Sequence, residues 1–573
     1  VPIVAHPLAQ PDKGTGIAMV CTFGDTTDVT WWRELNLPTR SVIGRDGRLT
    51  SSTPTWLETD DARAAYDPVA GRTVKQAQTA TVEALRESGD LRGDPRPITH
   101  PVKFYERGSR PLEIVTSRQW YIRNGGRDVD RRDALLARGK ELAWYPDHMR
   151  HRYENWVEGL NGDWLISRQR FFGVPIPLWY SVDEHGEADY DQPIAPDPGV
   201  LPIDPSAEAP PGYVEEQRGQ PGGFVGDADI MDTWATSSLT PQIAGGWADE
   251  PELFARLFPM DVRPQGPEII RTWLFSTVVR SHFEHGSLPW TNAMINGWIL
   301  DPDRKKMSKS KGNTVTPMGL FEQYGTDAVR YWSLAARPGV DTAFSEDQMK
   351  VGRRLATKLL NVSKFVLGIE GSVDTDTEFD PIDHAMLGQL DGVIVEATRA
   401  FEGFDYARAL ERTEEFFWWF CDDYVELVKG RAYGSRGAEG AASAGTALRI
   451  ALDAIQRLLA PVLPFATEEA WSWWHDTSVH AATWPEASDT PADSEALSLD
   501  PASDVLASVR RAKTEAKVSQ RAAVATLDVR GPAAWIATIE QAKADLVEAL
   551  TVGDMTLGES DDVSISVELA PIS

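Results

Sequence analysis

Apolar and polar positions alternate in several different rhythms along the chain. Up to about residue 60 the apolar runs are short (PIVAH, IAMVCTF, RSVIG) and cut by Gly, Pro and Asp. Runs of that length between turn formers predict strands, and hence a small β-rich unit. Within 72–91, VKQAQTATVEALRESG places apolar residues three and four apart with Gly89 near the end, which predicts a helix. PLEIVTSRQWYI, at 111–122, predicts a returning strand. From 181 to 223 Pro, Gly, Asp and Glu dominate without a period, as in an inserted loop rather than a core element. After about 317 long amphipathic patterns follow one another, including MKVGRRLATKLLNVSKFVLG and YARALERTEEFFWWFCDDYVELVKG, and predict a helical bundle. A linker rich in Pro, Ser and Asp at 484–502 sets off a last helix, DVLASVRRAKTEAK, and strand-like AVATLDV and SISVELA as a small separate module. No short repeat or sustained heptad is present, so solenoid and coiled-coil architectures are set aside.

At 573 residues the chain is long enough for three or four domains, each with its own core. It is 42% hydrophobic and 25% charged, with no apolar run of bilayer length, which argues against membrane insertion. The first residues lack the basic start and apolar stretch of a signal peptide. Cys21 and Cys421 are too few for a disulfide framework or a four-cysteine zinc ribbon, which suggests a reducing cytoplasm. The net charge of −29 opposes polyanion binding, so a nucleic-acid partner needs local basic surfaces. Arg150 to Arg152, Arg304 to Lys311, Arg353 to Lys364 and Arg510 to Lys517 are candidates, each equally readable as a solvated face.

The segment with the most chemistry is NGWILDPDRKKMSKSKGN, residues 296–313. A strand-like run gives way to a loop in which Lys306 and Lys309 stand beside small Ser308, Ser310 and Gly312. Ammonium groups there meet phosphate charge as it builds in a transition state, and the small residues let the backbone approach. The pentapeptide KMSKS resembles the signature of class I aminoacyl-tRNA synthetases, and further segments extend the likeness over nearly the full chain. ENWVEGLNGDWLISRQRFFGVPIPLWY (154–180) and DADIMDTWATSSL (227–239) resemble the valyl branch most. RPQGPEIIRTWLF (263–275) resembles the strand-to-helix turn that supports ATP, with Pro267 where His is common. GTGIAMVCTFGDTTDVTWW (14–32) resembles the second half of the inserted editing domain, in the form of archaeal-type valyl enzymes. KLLNVSKFV, FFWWFCDDYVELVKGR and LLAPVLPFATEEAW resemble the helical anticodon-binding domain.

The resemblance implies an α/β plus all-α chain. Part of an editing β-barrel spans 1–95, and the C-terminal half of a class I Rossmann catalytic domain with the KMSKS loop spans 96–316. A helical anticodon-binding bundle spans 317–490, and a small α+β tail 500–573. It implies a valine-tRNA ligase using ATP and Mg²⁺, with valine and tRNA(Val) as partners, monomeric, cytoplasmic and without a membrane. Lys306 and Lys309 would be catalytic. Gly266, Glu268, Met307, Ser308 and Ser310 would seat the nucleotide, with Glu268 on a ribose hydroxyl. Trp234 would wall the amino-acid pocket and Asp232 hold its polar neighbours. Asp28 would hold the substrate ammonium during editing, with Asp25 the weaker candidate. Editing has a reason, because an apolar pocket for valine rejects isosteric threonine weakly. Phe417, Trp418 and Trp419 read as core residues rather than base-stacking platforms.

The chain also departs from the family. Its His-x-Gly-His signature is missing; HFEHG (282–286) lies in the wrong half, which makes His282 and His285 incidental helix residues. The early editing strands are missing too, so the chain reads as N-terminally truncated and inactive alone. The zinc-binding cysteines after IPLWY are absent, with Ser181 at one such place, and the 181–223 loop is expected to be held by packing alone. Two other readings fit the same residues: a noncatalytic tRNA-binding fragment, and an isoleucyl-type class I synthetase.

Overall fold

The computed structural model describes residues 3–18, 20, 26–35, 37–44, 46–97, 117–307, 312–371, 377–488 and 497–571. The chain divides into one unit of residues 1–121 with 165–167, and a second of 122–164 with 168–573.

In the first unit the described residues form three helices, α1 (Thr26–Glu34), α2 (Asp60–Tyr66) and α3 (Val74–Glu87). A capping box between Thr73 and Gln76 starts α3. Tyr66 is buried, with its hydroxyl bonded to the Thr50 carbonyl. The β-rich expectation is corrected here: among the described residues of PIVAH, IAMVCTF and RSVIG, the β pairing is an isolated bridge, Ile43 with Leu49. The physical reason is hydrogen-bond supply. A strand's amides need a partner strand; between PIVAH and IAMVCTF the amides of Ala9, Lys13 and Gly16 close local turns on His6, Gln10 and Lys13, and RSVIG folds back on its own continuation, Gly44 to Arg48 and Thr50 to Val42.

In the second unit Ala143–Tyr145, Trp290–Ile295 and Met260–Gln265 form a three-stranded parallel sheet with Trp290–Ile295 in the centre. Parallel strands require crossover connections. Here these run through α5 (Arg150–Glu158), short helices α6 (Thr233–Ser237), α7 (Thr240–Ala244) and α8 (Pro251–Leu257), and α9 (Phe275–His285), while α4 (Val129–Glu141) leads into the first strand. Leu135, Tyr153, Val157, Leu274, Phe275, Val278 and Val279 pack on Trp144, Trp290 and Ala293 of the sheet. Arg138 Nε donates to His282 Nδ1, tying α4 to α9, while the His285 ring sits among Trp247, Phe254 and Phe258. Both histidines are therefore packing residues.

The 181–223 segment closes on itself where Trp179–Ser181 pairs antiparallel with Phe224–Gly226. Packing alone does not hold it. Arg218 donates to the carbonyls of Pro205 and Glu208 and to the Glu215 carboxylate, and lies over the Phe224 ring. Trp179 Nε1 also donates to the Glu208 carbonyl. A planar cation with five donors crosslinks this loop where thiolates are absent.

Beyond the sheet, α10 (Pro317–Tyr324) and α11 (Thr326–Leu334) lead into α12 (Glu346–Leu367), α13 (Pro381–Glu402), α14 (Tyr406–Trp419), α15 (Val425–Ala432), α16 (Gly437–Leu459) and α17 (Pro464–Trp471). Asp327 accepts from the Phe465 and Ala466 amides at the start of α17, joining α11 to the bundle. Phe417 is fully buried, and the Trp418 and Trp419 ring nitrogens bond to Glu414 and Ser503, as expected of core aromatics. The last segment comprises α18 (Asp500–Glu515), α19 (Ala533–Leu550) and a sheet with Val524–Gly531 between Val552–Glu559 and Ser564–Leu569. It is not set apart as the linker suggested. Val505, Val509, Leu527, Ile539 and Leu546 belong to one core with Phe417, Phe420, Val428 and Leu448.

A buried ionic cluster fastens this junction. Arg431 has no exposed side-chain surface and contacts Asp383 with Nη1 and Nη2, and Asp545 at 3.0 Å. Asp383 also accepts from Tyr424 and Ser443, and Asp545 from Arg436. Removing one member of such a cluster strands an unpaired buried charge. Arg431→Ala is therefore expected to destabilise the second unit by ~3–5 kcal/mol in urea unfolding, with α19 the first segment cut by protease. Arg218→Met is expected to cost ~2–3 kcal/mol of local stability only, read as faster amide exchange within 181–223 and unchanged exchange in α9.

Candidate functional site

The strand Met260–Gln265 ends at Gly266, and Pro267–Ile269 turns the chain towards α9 through a wide turn at Ile270–Leu274. A Cβ on Gly266 would lie 2.6–2.9 Å from the Glu268 carboxylate atoms, so glycine lets Glu268 fold back across the strand end. Glu268 Oε2 accepts from Trp298 Nε1 at 2.8 Å, and Lys306 Nζ lies 4.3 Å from the centre of the same indole. Glu268, seated over Gly266, and Lys306 thus converge on one ring. Sequence reasoning passed over Trp298, although it stands inside the quoted signature segment.

The approach to the signature is braced by its own side chains. Asp301 Oδ1 accepts from the Lys305 amide at 2.7 Å and Oδ2 from Asn313 Nδ2 at 2.8 Å, and Asn313 also reaches the Lys306 carbonyl. These bonds, the Lys305 amide first and Asn313 second, hold the Asp301 carboxyl below its ordinary range. The strut spans both sides of the signature. Its sequence signal was the Asp-Pro-Asp turn, which marks a turn without naming its partner. Met307 is half-buried. Ser308, Lys309 and Ser310 lie outside the described residues.

A second group forms around Asp232. This carboxylate is 7% exposed and is held by Arg168 Nη2 at 3.1 Å and Trp164 Nε1 at 3.3 Å. Gln169 reaches Asp229 and Tyr180 reaches Asp227, so the three aspartates of GDADIMD are each bonded to residues of the 154–180 motif. Trp234 is half-buried on α6, and the Trp273 ring nitrogen pins that helix by donating to the Ser237 carbonyl at 2.9 Å. Arg263, buried against Trp273 and Trp290, is a further charged group that the sequence did not single out; burial lowers its pKa to about 9.

In the first unit Asp28 occupies the first turn of α1, where the helix N-terminus favours a carboxylate. His6 accepts from Trp31 Nε1 and pairs with Glu34, holding the preceding segment on that helix. Asp25 lies outside the described residues.

The other notable surface is the exposed face of α12. Arg353, Arg354, Thr357, Asn361 and Lys364 recur at helical spacing, and no acidic residue occurs from Lys350 to Leu367. Lys364 lies 5.4 Å from the Trp473 ring centre. In a chain of net charge −29 this is a concentrated cationic strip.

A family model described as tRNA synthetases class I (I, L, M and V) matches residues 29–345, and one described as the anticodon-binding domain of tRNA ligase matches 383–528. A valine--tRNA ligase of Thermobifida fusca is 61% identical over 100% of this chain, which covers 65% of that relative. One of Salinispora tropica is 58% identical, covering 98% of this chain and 68% of the relative, and one of Cutibacterium acnes is 55% identical, covering 99% and 66%. The chain therefore spans about two thirds of the length of the curated relatives it matches. No helix among the described residues is long and apolar enough to cross a membrane. With this identity along almost its whole length, the chain belongs to the class I tRNA synthetases, in the valine--tRNA ligase branch.

Proposed function

We propose that this chain supplies the signature-bearing half of the catalytic domain and the tRNA-reading part of a valine-tRNA ligase. The carboxylate of valine attacks the α-phosphorus of ATP, pyrophosphate leaves, and the valyl group then passes from the adenylate to the 3′ end of tRNA(Val). The observation that carries this reading is the convergence of Glu268 and Lys306 on one indole at the end of a parallel sheet, with Gly266 making room for the Glu268 carboxylate. Open parallel sheets bind ligands beyond the carboxyl ends of their strands.

The glycine cradle and the paired opposite charges suit a nucleotide, with Gly266 admitting its backbone-facing edge and Glu268 accepting from a ribose hydroxyl. Lys306, with Lys309, would meet negative charge as it grows on the departing pyrophosphate, and Met307, Ser308 and Ser310 would frame the phosphates. Mg²⁺ would enter with ATP as its counter-ion. Trp234 would wall the valine side chain, and Asp232, fixed by Arg168 and Trp164, would order the polar neighbours of the pocket. Asp28, with Asp25 the weaker candidate, would pair with the ammonium of a misattached threonyl ester during hydrolytic editing. The domain assignment that goes with this reading is 1–95 editing, 96–316 catalytic, 317–490 anticodon-binding and 500–573 tail.

Valine-dependent ATP–pyrophosphate exchange tests the reading. The assay is run on this chain and on the chain preceded by the N-terminal part of the Thermobifida fusca relative. The joined protein is expected to exchange with valine in preference to isoleucine, and Lys306→Ala to lower kcat ~10²-fold. Exchange with isoleucine, or none, would refute it. Binding of tRNA without exchange would leave the noncatalytic tRNA-binding reading. For the cationic strip, Arg354→Ala and Lys364→Ala are each expected to weaken tRNA binding and to reduce the salt slope by about 1; unchanged slopes would move the contact elsewhere.

A further inference from the structure

Trp298 stands between two groups of opposite charge that the proposed function gives to one nucleotide. Glu268 and Lys306 are both exposed, and an exposed carboxylate and ammonium so near each other gain by swinging together. They engage the indole rather than one another, the carboxylate on its ring nitrogen and the ammonium on its face. Neither contact uses up the group it holds. Glu268 spends Oε2 on the indole and presents Oε1 elsewhere. An ammonium attracted to a ring face keeps N–H donors for phosphate oxygens.

The indole is anchored from its backbone. A Cβ on Gly297 would lie 1.9 Å from the Val340 carbonyl oxygen, so the two chain segments touch there. The Trp298 amide donates to Asp341 Oδ1 at 2.9 Å, and the Thr342 amide donates to the Trp298 carbonyl at 2.9 Å. Ile299–Leu300 continues this clamp by pairing with Thr342–Ala343. A residue clamped on both backbone groups directs its ring independently of the charges around it.

We propose that Trp298 is a positioning residue for nucleotide, a spacer that keeps Glu268 and Lys306 apart and oriented so that they meet ribose and phosphate instead of neutralising each other. The inference rests on the ATP reading of this site. Trp298→Phe keeps a ring for Lys306 and removes the donor to Glu268, whereas Trp298→Leu removes both. In the joined protein Trp298→Phe is expected to raise KM for ATP roughly three- to tenfold with kcat nearly unchanged. Trp298→Leu should raise KM further and also lower kcat, because Lys306 collapses onto Glu268.

The deciding variant is Glu268→Gln. Alone it raises KM for ATP without raising kcat; in the Trp298→Leu background it is expected to restore kcat by about threefold or more, a rescue that a purely structural tryptophan does not produce. Additive losses in that double variant, or kinetics of Trp298→Leu within twofold of the parent, overturn the proposal. If Trp298→Leu fails to fold by circular dichroism, Trp298→Phe decides, and an unchanged KM for ATP overturns it. A parent protein without valine-dependent exchange removes the reading of the site and this inference with it, which separates the two failures.

Discussion

A guanidinium with no exposed surface must be met by carboxylates wherever the chain can bring them, and the packing of the helical part follows from how Arg431 meets this demand. Arg431 on α15 takes Asp383 from α13 and Asp545 from α19, with Tyr424 and Ser443 filling the remaining acceptor sites of Asp383. Four helices are thereby set around one charge. The sheet that follows α18 has no separate interior, and its apolar side chains complete the bundle core. The matched anticodon-binding region, which runs to residue 528, ends inside that sheet.

The same economy of charge governs the candidate site. The chain is strongly acidic, and the fold decides which of its cations are paired with carboxylates. Arg168 is used to hold Asp232, and Arg218 to hold the 181–223 segment. Lys306 instead rests on an aromatic face, which leaves its charge available to an incoming anion. Along α12 Lys350 pairs with Asp347 and Lys358 with Asp422, while Arg353, Arg354 and Lys364 lie on an exposed face that carries no acid of its own.

Position along the parallel sheet explains why these groups meet. Gly266 ends one strand, and Asn296 to Trp298 continue its central neighbour, so Glu268 and the approach to the signature emerge side by side. The Asp301–Asn313 strut closes the base of the signature, and the crossing at Gly297 fixes Trp298 beside Glu268. Each of these contacts is short-ranged and polar at an edge where the sheet itself supplies no more partners.

The sequence by itself determined what is written in local spacing: the long helices after 317, α3, two of the three strands of the tail, and the signature with its two lysines. Helical periodicity and short motifs depend on neighbours within a few residues, so no partner need be known. Tertiary structure decided everything that requires a distant partner. Arg431 finds Asp545 114 positions away, Trp298 finds Glu268 30 positions away, and Arg218 replaces the expected packing of its loop. The described parts of the runs before residue 60, which pair as strands only at the Ile43–Leu49 bridge, make the same point from the other side. An apolar run becomes a strand only when another backbone accepts its hydrogen bonds, and no count of its residues reveals whether one will.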